Sequence, residues 1–360
     1  MPVYKEENGT WRARFYYTDH TGKKRETQKR GFKKKSDAQE YEREFLRKAK
    51  YNLDMTFESL VVLYLEDLST RLKENTLETK KYLMKLKIAP FFNRLKLSEI
   101  TPNTVRAWQR EILQYTNEKT GKKYSQTYIK TINNQLVAIF NYAVRFYNLK
   151  ENPCHKAGSI GKKNAEEMNI WSTEEFEKFI NSEKLTNSIA KTGFQVLFWT
   201  GLRIGELLAL TREDIDLENK TLRVNKSYQR LKGRDIITTP KTPRSNRIIE
   251  ISDNLINILE NYFKKVYALG ERDRIFPCTK YLFEYEIKKI SKYENMKAIR
   301  IHDLRHSHAS LLIHLGVNPV LISKRLGHEK VETTLNTYSH IYPNANVGMM
   351  NLLNDISTKK

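Results

Sequence analysis

The stretch Arg300–Gly316, RIHDLRHSHASLLIHLG, holds four of the chain's eight histidines: His302, His306, His308 and His314. His302 and His306 have the i, i+4 spacing that helical zinc sites use, but no glutamate stands between them, and Arg305 lies on the same side as His302. A permanent guanidinium repels a metal cation. Asp303 can cap a helix starting just after His302, and that helix end offers free N–H groups and a positive dipole end. His302 and Arg305, three apart, project together from it. A hydrogen-bonding imidazole beside a forked cation suits a phosphate. For His306, His308 and His314 a core or surface histidine is the better reading.

Four further positions invite chemistry only as a set. Arg203 in TGLRIGELLAL follows Gly201 at the start of an apolar helix, where a surface arginine is the ordinary reading. Lys241 sits in TTPKTPRSNRIIEI between Pro240 and Pro243, and turn lysines are usually solvated. His328 follows Gly327, and Tyr338 comes ten residues later on a predicted helix. With 20 tyrosines in the chain, Tyr338 alone carries no weight.

The elements that must position these residues can be read from periodicity and punctuation. Residues 1–50 read as a small three-stranded sheet plus a helix. In WRARFYY, Trp11, Ala13, Phe15 and Tyr17 face one way and Arg12, Arg14 and Tyr16 the other. Ser36 and Gln39 suggest a capping box for the helix that follows. The Arg12, Arg14 and Tyr16 face is suited to lie on DNA, or is an ordinary solvated face. Residues 56–150 read as all-helical: Phe57, Leu60, Val61, Tyr64, Leu65 and Leu68 form one helical face. Thr101-Pro102 opens a second helix and Ser125 a third, with Ile129, Ile132, Leu136, Ile139, Phe140 and Ala143 inward. Residues 151–169 read as a linker from Pro153, two glycines and a charge run. Ser172 and Glu175 then open a mixed α/β region, 170–342, with eight helices and three strands, 221–229, 234–240 and 246–252. Residues 343–360 form a tail with Met349, Met350, Leu352, Leu353 and Ile356 in a helix-like pattern. The fold class expected is therefore multidomain α+β, mostly α with small sheets.

Charge is the strongest bulk signal. Lysine and arginine number 64 against 42 aspartates and glutamates, a formal net charge of +22. The excess is spread: +7 over residues 1–50, +7 over 51–160 and +8 over 161–360. A long polyanion touching every part of the chain accounts for that better than a membrane surface, which concentrates charge on one amphipathic segment. Cys154 and Cys278 give neither a disulfide framework nor zinc spacing. With no apolar run of membrane-spanning length, a cytoplasmic protein is expected.

Taken together, TGLRIGEL, PKTPRSNR, HDLRHSHAS, LGH and TYSH resemble, in order and spacing, the tyrosine recombinase (phage integrase) family. The resemblance covers residues 170–342 strongly. Residues 56–150 resemble the family's helical core-site-binding domain, and 1–50 the small arm-site-binding domain of integrases from temperate phages and integrative conjugative elements. It implies an active-site set of Arg203, Lys241, His302, Arg305 and His328, with Tyr338 as the nucleophile.

The chemistry of those residue types fits. Arg203 and Arg305 can neutralise the nonbridging oxygens of a five-coordinate phosphorus. Tyr338 can form a 3′-phosphotyrosyl ester that retains the energy of the cleaved bond, so that rejoining needs no ATP. Lys241 suits protonation of the leaving 5′ oxygen. His302 can accept or relay the tyrosine proton, and His328 can bond the phosphate. No cofactor and no metal are expected. The resemblance further implies double-stranded core and arm attachment sites as partners, a homotetramer in the synapse, and a nucleoid-associated enzyme in a bacterial host cell. An excision accessory protein and a host DNA-bending protein are partners it allows. A type IB topoisomerase-like enzyme would share the chemistry without strand exchange, and a non-catalytic regulator on the same fold would have no use for Tyr338. A metal-dependent nuclease is disfavoured by Arg305.

Overall fold

The alternation of WRARFYYT becomes strand β2 (Trp11–Thr18), paired antiparallel with β1 (Val3–Lys5) on one side and β3 (Lys24–Phe32) on the other. The structure, a computed structural model, describes residues 3–18, 24–50, 55–163, 169–239 and 243–338. It divides into two units, Met1–Glu166 and Glu167–Lys360. Among the described residues no helix is long and apolar enough to cross a membrane.

In the first unit, Ala13 and Phe15 are buried against helix α1 (Lys35–Lys50), whose Ala38, Tyr41 and Phe45 complete a small core. The helix begins at Lys35, one residue ahead of the expected cap. The Ser36 hydroxyl bonds the Asp37 carboxylate (3.1 Å) and lies inside the first turn. A separate core is all-helical: α2 (Phe57–Ser69), α3 (Glu74–Leu83), α4 (Ala89–Phe92), α5 (Pro102–Gln114), α6 (Gln126–Phe146) and α7 (Pro153–Ala157). Thr101 caps α5 with Pro102 at its first position, and Ser125 caps α6 by accepting from the Tyr128 N–H (3.2 Å). All six α6 residues expected inward are buried.

Helix α7 falls where a linker was expected. Asn152 with Pro153 behind it is helix-start chemistry rather than a break. Asn152 is buried, accepts from the Cys154 N–H (2.9 Å) and donates to the Val137 carbonyl (3.0 Å), and Cys154 joins the helical core. The expected linker is therefore packed structure over its first part.

The second unit starts with α8 (Thr173–Ile180), opened by the reciprocal Ser172–Glu175 box, then α9 (Ser188–Thr200) and the single turn α10 (Ile204–Leu207). The strands follow: β4 (Ile215–Asp216), β5 (Thr221–Val224), β6 (Ser227–Leu231), β7 (Arg234–Thr238) and β8 (Arg247–Glu250). They form two sheets, β4–β5–β8 and the hairpin β6–β7. The single strand expected over 221–229 is thus two strands in different sheets. The chain breaks at Asn225-Lys226, where Lys226 reaches the buried Asp214 carboxylate (2.7 Å) and the Thr211 hydroxyl (2.8 Å). Helices α11 (Asp253–Lys265), α12 (Lys280–Tyr293), α13 (Ile301–His314), α14 (Pro319–Leu326) and α15 (Val331–Tyr338) complete the unit. Its main core gathers Phe176, Phe179, Phe194, Phe198, Phe276 and Phe283 around α9.

Candidate active site

Arg203 is set by what precedes and follows it. Gly201 caps α9 in the left-handed region (φ 69°), and a Cβ there would come within 2.7 Å of side-chain atoms of both His308 and Leu326. The position therefore requires glycine on conformational and steric grounds. The chain then turns, and Arg203 becomes the N-cap residue of α10. Glu206 folds back onto it, accepting from the Arg203 backbone N–H (3.0 Å) and from Nη1 (2.8 Å). The same carboxylate accepts from Nη2 of Arg247 on β8 (2.9 Å). Burial alone would raise the Glu206 carboxyl, but bonding to Arg247 and the charge of Arg203 outweigh it, and its pKa lies below the ordinary value.

Arg305 projects from the second turn of α13 and is 2% exposed. Its Nη1 donates to the Gly201 carbonyl (2.8 Å) and its Nη2 to the Leu326 carbonyl (2.6 Å). Gly201 caps α9 and Leu326 is the last residue of α14, so the guanidinium lies between two helix C-termini. There, unpaired carbonyls and the negative dipole ends favour a cation. Two of its five N–H groups are used by these bonds. Burial, then Arg203, pushes Arg305 down to about 9. It is a charged group at neutral pH whose surroundings lack a full counter-charge. Three guanidiniums, Arg203, Arg247 and Arg305, are held in this region around one carboxylate, Glu206. That leaves an excess of positive charge suited to an anion.

The imidazoles are neutral. Helix α13 starts at Ile301, earlier than expected, so His302 lies inside its first turn. Asp303 caps it from the third position, accepting from the Arg300 N–H (2.8 Å). Desolvation, then Arg305 and Arg203, lowers the His302 pKa. His328 follows Gly327, the left-handed cap of α14, and its Nδ1 lies 2.8 Å from the Thr334 hydroxyl. Burial, then Arg305 and Arg203, pushes it down to about 4. Tyr338 ends α15 with its ring packed among Ala309, Ile313, Ile322 and Leu326, and it is 1% exposed. Burial pushes its phenol up to about 12. The phenol oxygen lies 2.6 Å from Nδ1 of His306.

The structure thus brings Arg203, His302, Arg305, His328 and Tyr338 into one electrostatic neighbourhood. Lys241 lies outside the described residues; strand β7, which leads toward it, ends at Thr238. Among the described residues no three His, Cys, Asp or Glu side chains group as a metal site would need. His308 is a core histidine, buried and accepting at Nε2 from Arg325 (3.1 Å).

Three participants escaped the sequence reading. Glu206 and Arg247 are 41 positions apart and meet only in three dimensions. A signal for Arg247 existed: it is in phase with Ile249 and Ile251, and all three are buried. His306, read as a bystander, is instead the hydrogen-bond partner of Tyr338. That contact links two helices 32 positions apart, and no local pattern announces it.

On the N-terminal sheet, Arg14 and Tyr16 are exposed on the face opposite the small core, and Arg12 is half-buried there. Arg14 is not idle: it forms a two-point contact with Glu26 on β3 (2.5 and 3.2 Å). Arg12 lies 3.6 Å from Glu6 and stacks over Tyr4. A phosphate gripped here would have to compete with those carboxylates.

Three family models match the chain in succession. The Arm DNA-binding domain matches residues 2–49, the Phage integrase N-terminal SAM-like domain matches residues 56–113, and the Phage integrase family matches residues 170–345. The ICEBs1 integrase of Bacillus subtilis (strain 168) is 33% identical, with 99% of this chain and 100% of that protein covered. The fold is similar to the Tn1549 transposon integrase in complex with a circular intermediate DNA (TM-score 0.69, 21% identity, 83% of this chain and 99% of that one). It is also similar to a lambda integrase tetramer bound to a Holliday junction (TM-score 0.60, 18% identity, 92% and 96%). A relative matched from end to end at that identity, together with a family model spanning every described catalytic candidate, shows that the chain belongs to the phage integrase family of tyrosine recombinases.

Proposed function

We propose that the protein integrates and excises a mobile element by cutting and rejoining DNA at attachment sites, with Tyr338 as the nucleophile and with neither metal nor ATP. The observation that carries this reading is the pairing of a buried phenol with a cation trap. Tyr338 closes the same site in which Arg305 is held between two helix C-termini and Arg203 is fixed by Glu206. The two arginines take the nonbridging oxygens of the scissile phosphate, and their fixed geometry spares reorganisation as charge builds on those oxygens. His302 and His328, both neutral, bond the phosphate. Lys241 protonates the 5′ oxygen as it leaves. The phosphotyrosyl ester then stores the bond until the incoming 5′ hydroxyl of the partner strand displaces Tyr338.

Cleavage of a cognate core site is expected to proceed unchanged in excess EDTA, since cations supplied by side chains do the work of a metal. Activity lost to chelation and restored by magnesium or zinc would sink the phosphate-clamp reading.

The core-site contacts are assigned to residues 56–150 and the catalytic unit, and the distal arm contacts to residues 1–50. A homotetramer performs the exchange, as supported by the assembly of the related lambda integrase. An excision accessory protein, a host DNA-bending protein and a cytoplasmic, nucleoid-associated location belong to the same proposal. Deleting residues 1–50 is expected to abolish binding to arm sites and leave core-site cleavage intact. Salt is expected to weaken binding of the full chain to a complete attachment site more steeply than binding of the truncated chain, because the truncation neutralises fewer phosphates. Equal affinity and equal salt slope, measured by gel shift from low to physiological salt, would remove the arm role.

A further inference from the structure

We infer that His306 accepts the phenol proton of Tyr338 during strand cleavage and returns it on religation, an inference that rests on Tyr338 being the nucleophile. The geometry is specific. His306 Nδ1 lies 2.6 Å from the Tyr338 oxygen, within strong hydrogen-bond range. The bond joins the second turn of α13, directly after Arg305, to the last residue of α15. The phenol ring is packed among apolar side chains, so its oxygen is aimed by packing as well as by the bond. His302 stands one ring further out, meeting His306 edge-on with centroids 5.0 Å apart. His328 directs its Nδ1 at Thr334. Of the three imidazoles in the site, the one touching the reacting oxygen is His306, one turn along α13 from the residue that the sequence reading favoured for this proton.

The proton balance closes without any other reagent. With its proton on Nε2, the imidazole presents the Nδ1 lone pair to the phenol O–H. As a lone pair of the Tyr338 oxygen forms the bond to phosphorus, the O–H bond breaks and its proton passes to Nδ1, giving an imidazolium. The bond from phosphorus to the 5′ oxygen breaks, and that oxygen takes its proton from the proposed general acid, Lys241. Religation runs the same transfers backwards: the attacking 5′ hydroxyl displaces the tyrosine oxygen, which recovers its proton from His306. Burial, followed by the nearby His302, holds His306 down to about 4, so the lone pair is free at neutral pH. In the resting protein the proton stays on the phenol, because burial pushes that group up. Transfer becomes favourable once the oxygen begins to bond phosphorus and a phosphodiester anion lies beside the new imidazolium.

The charged and titratable groups bearing on His306 are His302, Asp303, Arg305, Arg300, His328 and Tyr338. Of these, Asp303 is tied to Arg300 and Arg305 to two carbonyls, so neither competes for the phenol proton.

The test uses the full chain and a nicked core-site duplex under single-turnover conditions. His306→Ala is expected to bind that DNA within about twofold of wild type and to form the covalent complex on the order of 10²-fold more slowly, the low end for a lost general base. Its rate should then climb with pH, as hydroxide replaces the missing base. Fluorinated tyrosine at position 338, with a more acidic phenol, should recover much of the loss in His306→Ala while barely changing the wild-type background. His306→Asn keeps a hydrogen-bond acceptor but no useful basicity, so it should fold and melt like wild type yet cleave as slowly as the alanine variant. Three results would overturn the inference: cleavage by His306→Ala at the wild-type rate, full recovery in His306→Asn, or a slow rate insensitive to both pH and phenol acidity. Peptide mapping of the wild-type covalent complex separates the two claims. DNA attached elsewhere than Tyr338 removes the nucleophile reading itself, whereas DNA on Tyr338 with unaffected His306 variants removes only the role of His306.

Discussion

Tyr338→Phe is expected to bind core-site DNA normally and to form no covalent complex at all. The substitution deletes one oxygen from a ring that is 1% exposed and packed against Ala309, Ile313, Ile322 and Leu326, so the apolar contacts survive. What is lost in the folded protein is the hydrogen bond to His306, and a single such bond is worth about 0.5–1.5 kcal/mol net. DNA affinity rests on many cationic contacts along a chain of net charge +22 and not on this hydroxyl. Cleavage has no substitute. Among the described residues, the hydroxyl hydrogen-bonded to His306 is that of Tyr338, and Arg305 bonds two backbone carbonyls. The measurement is a nicked duplex whose cleaved fragment diffuses away, so that the protein–DNA adduct accumulates. A DNA-linked band from the Phe variant would show that another residue attacks, and the proposed mechanism would fall.

The elements that carry the site were legible because their signals are local. Ser172 and Glu175 form the capping box their spacing implied, and Thr101-Pro102 starts a helix for the reason a proline at the first position does. The inward set of α6 is buried as its 3.6-residue period requires. Signals fail where a competing bond, not the pattern, decides. Ser36 spends its hydroxyl on Asp37, so the helix starts earlier. The strand over 221–229 breaks because Lys226 is drawn to Asp214, a carboxylate buried twelve positions back. Pro153 reads as a linker residue, but Asn152 caps a helix docked on α5 and α6.

The site itself was half legible, and the division has a physical cause. Residues proposed to meet the phosphate are constrained in type, so Arg203, His302, Arg305, His328 and Tyr338 stand out as a set. The residues that hold them are constrained only by geometry. Glu206 secures Arg203 and Arg247 together, and the carbonyls of Gly201 and Leu326 secure Arg305. A carbonyl leaves no trace in a side-chain pattern. Its only mark here is a pair of glycines, Gly201 and Gly327, left-handed residues that end α9 and α14 and so expose the carbonyls Arg305 uses.

Arg305→Ala is expected to keep the nucleophile in place and lose on the order of 10²–10³ or more in the rate of covalent-complex formation, as for removal of one preorganised transition-state donor. The wild-type guanidinium is desolvated and pushed down to about 9, largely by burial and then by Arg203. A phosphate entering the site relieves that imbalance, and the extra negative charge of the five-coordinate transition state relieves it further. This is differential stabilisation of the kind that raises a rate rather than a binding constant. Stability moves less simply. Deleting the side chain strands the Gly201 and Leu326 carbonyls, about 1–3 kcal/mol for each buried group left unsatisfied. It also removes a buried cation whose own desolvation is unfavourable, and water admitted to the vacated space can bond the carbonyls. The melting temperature is therefore expected to shift by far less than the rate. Arg305→Lys should rescue little, because one ammonium cannot span two carbonyls and also grip two phosphate oxygens. Single-turnover rates and thermal melts on the same preparations decide the matter: a folded Arg305→Ala protein cleaving within tenfold of wild type would show that the buried guanidinium serves the fold and not the phosphate.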